Sequence, residues 1–270
     1  MTTLELVVSA LGGLCLLFTA VYFVARSLDN YGVVDVAWAY AFGLLGGFYA
    51  LAGTGWMPRR IAVGVTALAW SLRLGTYLLR RVAHHHPRED QRYDQLRRSW
   101  SGNLGPKMFR FFQFQAVSVV VLGAAFLLAA RNPAPGFTTL EIAGLALWLV
   151  AVLGEAVADA QLAAFKRRAA PHEVCDRGLW RYSRHPNYFF QWLIWMGWFA
   201  FALASPGGWV AVIAPATILY LLLRVTGIPA TEEQSLRSKG DAYRQYQART
   251  SAFVPWRPRA DASSNPPAQS

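Results

Sequence analysis

The residues with the most chemical potential stand in one run, Cys175-Asp-Arg-Gly-Leu-Trp-Arg-Tyr-Ser-Arg-His-Pro-Asn-Tyr188. Arg177, Arg181 and Arg184 are anion binders, and a guanidinium fork clamps a phosphate through two parallel hydrogen bonds. Trp180, Tyr182 and Tyr188 can stack on a flat ring. Asn187 carries both an amide donor and an acceptor, and His185 can hydrogen-bond or change charge near neutral pH. Pro186 forbids an ordinary helix through His185, and a new apolar run begins directly after it. This set suits a phosphate-bearing nucleotide cofactor. It equally describes a basic interfacial loop with an aromatic belt, and composition does not choose between the two. No glycine-rich dinucleotide loop is present, which excludes a Rossmann site as the binder.

Charge inside apolar runs is the second signal, because burial in lipid is costly for an ionised group. Asp35, Arg73, Glu155, Asp159 and Arg224 are placed this way. Glu155 and Asp159 are four apart and share a helix face, as Asp35 and Trp38 do at a spacing of three. An ion pair from Asp35 to Arg73 or Arg224 would tie helices together. Acids and bases facing one another would equally make a polar ligand pocket. A third block, Gly227–Leu236 followed by Tyr243–Pro255, reads as two short helices, with Tyr243 and Tyr246 on one face. They form either a cap over the site or a surface lying on lipid headgroups. Consecutive His84, His85 and His86 cannot converge on one ion, and Cys15 and Cys175 have no ligand spacing, so no metal is expected.

These residues must be positioned by membrane helices. The 270 residues are 54% apolar and only 15% charged, where soluble domains carry about a quarter charged. Seven runs reach about the 20 residues a bilayer core requires. They are Leu4–Val24, Val33–Ala52, Ile61–Leu79, Met108–Ala130, Thr138–Gln161, Tyr188–Ala204 and Trp209–Ile228. With seven spans, twenty lysines and arginines fall on one side, and only Arg59, Arg60 and Arg131 on the other. Positive residues favour the cytosolic side, so the N-terminus is expected outside and the C-terminus in the cytosol. The net charge of +11 then reflects orientation and anionic lipid rather than nucleic acid. No cleavable signal peptide is expected, because the N-terminus lacks a basic segment. Residues 1–258 read as one seven-span, all-α domain, with a Pro/Ser/Ala-rich disordered tail at 259–270.

Gly178-Leu-Trp-Arg-Tyr-Ser-Arg-His-Pro-Asn-Tyr188 resembles the signature of the bacterial DUF1295 proteins of the steroid 5-alpha-reductase superfamily. The likeness extends through Glu155-Ala-Val-Ala-Asp-Ala-Gln-Leu, Phe165-Lys166, Gly227-Ile-Pro, Tyr243-Arg-Gln-Tyr and Thr250-Ser-Ala-Phe-Val-Pro255. Asp35-Val-Ala-Trp38 and Trp70-Ser-Leu-Arg73 look like its N-terminal counterparts. The resemblance implies a bacterial inner-membrane monomer that holds NADPH in its C-terminal half, about residues 138–256. It implies reduction of a carbon–carbon double bond conjugated to a carbonyl in a steroid-like or other lipophilic molecule. By position, Arg73, Asp159, Lys166, Trp180, Arg181, Tyr182, Arg184, His185, Asn187 and Tyr188 would contact the cofactor, with Tyr243 and Tyr246 as weaker candidates. Asp35 would be a neutral acid at the substrate carbonyl, with Tyr77 as its tyrosine unless Trp70 takes that place. The family run continues with a small residue and an acid, where this chain has Phe190 and Gln191. Gln191, at the family's catalytic acid, can hold a nicotinamide amide but cannot transfer a proton, and the added ring would narrow the pocket.

Arg184–Tyr188 and the Glu232-Glu233 pair also resemble isoprenylcysteine carboxyl methyltransferases, which use S-adenosylmethionine. A third expectation is a lipid-binding relative that has lost catalysis, for which Gln191 is the main support.

Overall fold

The computed structural model describes residues 1–170 and 172–259; the expected disordered tail lies, from residue 260, outside them. Among the described residues every regular element is helical, and one isolated bridge joins Ser183 to Ser251. The α-helices are α1 (Thr3–Ser27), α2 (Val33–Ala52), α3 (Met57–His85), α4 (Gln91–Ser99), α5 (Leu104–Leu122), α6 (Ala124–Arg131) and α7 (Thr139–Lys166). They continue with α8 (Pro186–Leu203), α9 (Ile213–Tyr220), α10 (Ile228–Lys239) and α11 (Asp241–Arg249).

Six helical stretches are long and apolar enough to cross a membrane: α1, α2, α3, Ser101–Arg131, α7 and Gly208–Lys239. The chain is therefore a polytopic all-α membrane protein. Of the seven expected runs, the one in α8 falls outside this measure of length and hydropathy. That helix has 18 residues, but Pro186, Asn187 and Gln191 lie in its first two turns and Trp192, Trp195 and Trp198 follow. Polar amides and indoles lower its mean hydropathy.

By the density of their internal contacts the residues fall into two compact units. Unit 1 comprises Met1–Ile142 with Phe201–Ala214, and unit 2 comprises Ala143–Ala200 with the chain from Pro215 onward. In unit 1, α1 opens with a capping box. Thr2 Oγ1 accepts from the Glu5 N–H at 3.2 Å, and Glu5 accepts from the Thr2 N–H at 2.9 Å. One stripe of α1, Leu6, Ala10, Leu14, Phe18, Tyr22 and Ala25, is buried at helical spacing. Helices α2 and α3 approach closely: a Cβ at Gly46 would lie 2.3 Å from the Ala67 Cβ. Small residues at such a seam let backbones meet in a membrane, where water supplies no hydrophobic drive between helices. Ser71 Oγ donates across the seam to the Ala39 carbonyl at 2.7 Å.

Arg59, expected as one of three charges on the outer side, is 1% exposed. It pairs with buried Glu141 and donates to the Asn132, Ala134 and Gly136 carbonyls at 3.0, 2.7 and 2.7 Å. Arg60 donates to the Ala50 and Leu51 carbonyls, and Arg131 to that of Met1. All three are thus engaged with backbone oxygens.

Candidate functional site

In unit 2 two rungs join α7 to α8. The Asn187 amide nitrogen donates to Asp159 Oδ1 at 3.3 Å. One helical turn deeper, the Gln191 amide nitrogen donates to Glu155 Oε1 at 2.9 Å and Oε2 at 3.3 Å, the orientation in which its donor and acceptor ends are both satisfied. Each helix supplies its two residues at a spacing of four, so antiparallel helices stack the pairs one above the other. Glu155 is 4% exposed. The acid that the resemblance implies at residue 191 is absent, and a carboxylate stands opposite it on α7. Phe190 does not sit alone either, because its ring lies against Gly154, where a Cβ would come within 2.4 Å of it.

The Gly178–Arg181 3₁₀ turn docks on the same part of α7. The Leu179 N–H donates to Gln161 Oε1 at 2.9 Å, and Trp180 Nε1 donates to the Ala158 carbonyl at 2.9 Å. Gly178 has φ +59 with the Gln161 side chain packed against it, so a side chain there would be both strained and blocked. This docking carries Arg177 and Arg181 into a groove of about 480 Å³, lined also by Asp176, Arg249, Thr250, Pro258 and Arg259. The one acid of the groove, Asp176, is paired with Arg249. Four guanidinium groups around one paired carboxylate leave a positive field suited to phosphate.

The remaining residues of the signature hold the C-terminal segment. Arg184 pairs with Glu232 at 2.6 Å, donates to the Gln247 carbonyl at 3.1 Å and also reaches the Thr250 carbonyl. His185 is 2% exposed, contacts the Ala252 carbonyl through Nδ1 at 2.9 Å and stacks on Tyr188 at 5.4 Å. Burial pushes the imidazole below its usual range, against the opposing pull of that carbonyl and of Glu232. Tyr188 Oη meets Thr231 Oγ1 at 3.1 Å. Tyr246 Oη donates to the Trp180 carbonyl, and burial raises its phenol well above the ordinary value. Tyr243 is buried too, and its phenol is pushed up to about 12 by the same cause. Trp180, Arg184, His185, Tyr243 and Tyr246 are therefore occupied with fold contacts. Arg181 and Tyr182 are exposed, as is Lys166 at the end of α7.

Arg73, Tyr77 and Asp35 belong to unit 1. Tyr77 is 41% exposed and Arg73 half-buried, both on α3. Asp35 corrects an expectation. Oδ2 accepts from the Arg92 guanidinium at 2.7 Å, and Oδ1 accepts from the Tyr93 hydroxyl at 2.6 Å. Both oxygens are acceptors in this arrangement, so Asp35 is not the neutral hydrogen-bond donor expected from its position in an apolar run. Its partner is neither Arg73 nor Arg224 but a residue of α4, which the basic stretch after span three did not disclose. Tyr93, 3% exposed among charged neighbours, is the one sequence sign of that helix's buried side. Burial pushes the Tyr93 phenol far up, and the Asp35 charge adds to this.

Arg249 and Arg259 of the groove were not among the residues singled out in sequence; both lie beyond the signature, and only the folded C-terminal segment brings them beside Arg177 and Arg181. Among the described residues no group of three or more His, Cys, Asp or Glu converges for a metal. No curated protein and no solved structure matches the chain. A family model does match, over residues 21–250, and its description is a protein of unknown function, DUF1295. Covering most of the length and including every residue of both α7–α8 rungs, that match establishes that the chain belongs to the DUF1295 family.

Proposed function

We propose that this protein is a membrane reductase that uses NADPH to reduce a carbon–carbon double bond conjugated to a carbonyl in a lipophilic, steroid-like molecule. The observation that carries this assignment is the groove of unit 2, in which Arg177, Arg181, Arg249 and Arg259 surround about 480 Å³ next to the α7 turn bearing Asp159. Arginine forks match phosphate oxygens, and a phosphorylated dinucleotide offers three phosphate groups to them. S-adenosylmethionine fits less well: it brings no phosphate, and its sulfonium carries the same sign as the groove.

When bound, NADPH supplies a hydride. The chain's own residues bind and orient it. The arginines grip phosphate, and Asp159 and Asn187 offer an acceptor and a donor of the kind ribose hydroxyls use. Lys166 adds a flexible cation at the end of α7. Reduction also calls for a hydrogen-bond donor at the acceptor's carbonyl oxygen, where negative charge develops. Asp35, with both oxygens accepting, does not serve that role as it stands. We further infer a bacterial inner-membrane monomer with the C-terminus in the cytosol, from the bias of lysine and arginine.

The test is thermal unfolding of the purified protein in detergent, with mass spectrometry of any nucleotide that co-purifies. A ligand at 100 times its Kd stabilises by about 2.7 kcal/mol, so NADPH is expected to raise the apparent Tm by several degrees and S-adenosylmethionine to leave it unchanged. Protection by S-adenosylmethionine alone, or by neither, overturns the assignment.

A further inference from the structure

Resting on the NADPH assignment, we infer that the arginine groove of unit 2 holds the 2′-phosphate on the adenosine half of the cofactor, and so tells NADPH from NADH. Every described residue of its lining comes from the strip before α8, or from the end of α11 and the segment after it. None belongs to a membrane-crossing stretch. A hydride donor that serves a lipophilic acceptor needs its nicotinamide among the spans. The groove therefore receives the opposite end of the molecule. On that end, the phosphate that distinguishes the two dinucleotides is the 2′ monoester.

The lining matches that group. At neutral pH a phosphate monoester carries about −1.5 to −2 charges and three strong acceptor oxygens. Among the described residues no aromatic side chain lines the groove for a ring to lie on. Elsewhere in unit 2 arginines meet acids of their own: Arg184 pairs with Glu232, Arg237 with Glu233 and Arg244 with Asp241. In the groove only Arg249 does, through Asp176. Among the described residues no acid pairs with Arg177, Arg181 or Arg259, so three guanidinium groups share one groove without a counter-ion from the protein. The Arg249 carbonyl also accepts the Arg259 N–H at 2.9 Å. Arg259 is thereby held at the groove by its backbone, and its guanidinium is left for the ligand.

The experiment measures Kd values of the full-length protein in detergent for three probes: NADPH, NADH and micelles bearing phosphatidate, a lipid with the same monoester chemistry. The wild type is expected to favour NADPH over NADH by about tenfold or more, the scale of one charge-assisted hydrogen bond. Arg181→Ala and Arg259→Ala each remove an exposed side chain, so little stability is at stake. Each is expected to weaken NADPH by about tenfold, while NADH binds as before and the ratio narrows. NADH affinity in the same samples reports that the variant is folded.

An unchanged ratio of NADPH to NADH affinity in both variants overturns the inference, because the 2′-phosphate then lies elsewhere. An equal loss for NADPH and NADH also overturns it and gives the groove to the pyrophosphate. So does a wild type that binds the two alike, which leaves a nicotinamide-dependent reductase standing; arginine-dependent binding of phosphatidate would then give the groove to a lipid headgroup. A wild type that binds neither dinucleotide overturns the inference and the reductase assignment together.

Discussion

The ring of Phe190 fills the space that a side chain at residue 154 would need, with its Cε1 2.4 Å from where a Gly154 Cβ would sit. The larger residue on α8 is thus met by the smallest one on α7, and the two helices stay close enough for both polar rungs to form. Gly154→Ala should overpack this contact and lower stability by about 1–3 kcal/mol. Phe190→Leu in the same chain should recover most of the loss, as read by apparent Tm in detergent. Additive losses in the double variant would show that the ring and the glycine are not coupled.

Asp35, Arg92 and Tyr93 should behave as one unit in a double-mutant cycle. Tyr93→Phe removes a buried donor and leaves an Asp35 oxygen unmet, at a cost of about 1–3 kcal/mol. Asp35→Asn should cost a similar amount, and the double variant little more than either single one. NADPH affinity is expected to survive each substitution.

The buried pair of Arg59 and Glu141 predicts a strong asymmetry. Arg59→Ala strands a carboxylate that is wholly buried and strips three backbone carbonyls of their donor. Breaking one side of such a pair costs about 3–5 kcal/mol. Glu141→Gln in the Arg59→Ala background should return part of that stability, measured by thermal unfolding and by the yield of monodisperse protein.

His185 gives the protein an acid-sensitive clip. Its folded pKa lies below the ordinary 6.5, first because of burial. The unfolded chain therefore takes up the proton at higher pH than the folded one. The histidine's contribution is complete above about 6.5 and is lost as pH falls below it. Apparent Tm should be flat from pH 7 to 8 and decline between pH 6.5 and 5, and His185→Gln should flatten that decline.

Arg177→Glu should weaken NADPH by about tenfold or more, because it exchanges a cation for an anion among the groove's other arginines. The residual binding should depend less on salt than in the wild type, since fewer charges remain to be screened. Retained affinity with an unaltered salt response would place the phosphates elsewhere.

The membrane class and most helices were legible because long apolar runs need no partner to be recognised. The spacing of Glu155 and Asp159 on one run was also visible; that Asn187 and Gln191 answer it on the next was not, because Asn187 precedes the apolar run and joins it only once α8 begins at Pro186. What sequence could not supply was pairing between runs. Asp35 had Arg73 and Arg224 as candidate partners, and its actual ones, Arg92 and Tyr93, follow a stretch with no apolar periodicity strong enough to announce α4. Local rules describe a helix face; which distant charge meets it depends on the tertiary fold. The same limit applies to the signature. Arg181 and His185 have similar promise as residue types, yet Arg181 lines the groove while His185 is folded beneath the C-terminal segment.

That segment carries a consequence for how the protein is made. Ser183 Oγ donates to the Phe253 carbonyl, the Arg184 N–H to that of Ser251, and the Trp256 N–H to that of Tyr182. The strip before α8 is therefore completed by a segment that follows it 70 residues later in the chain. A nascent chain that has emerged only as far as residue 249 would hold Arg177 and Arg181 on α7, but the groove would lack the wall formed by Thr250, Pro258 and Arg259. The groove can exist only once the segment beyond α11 has folded back onto the strip before α8.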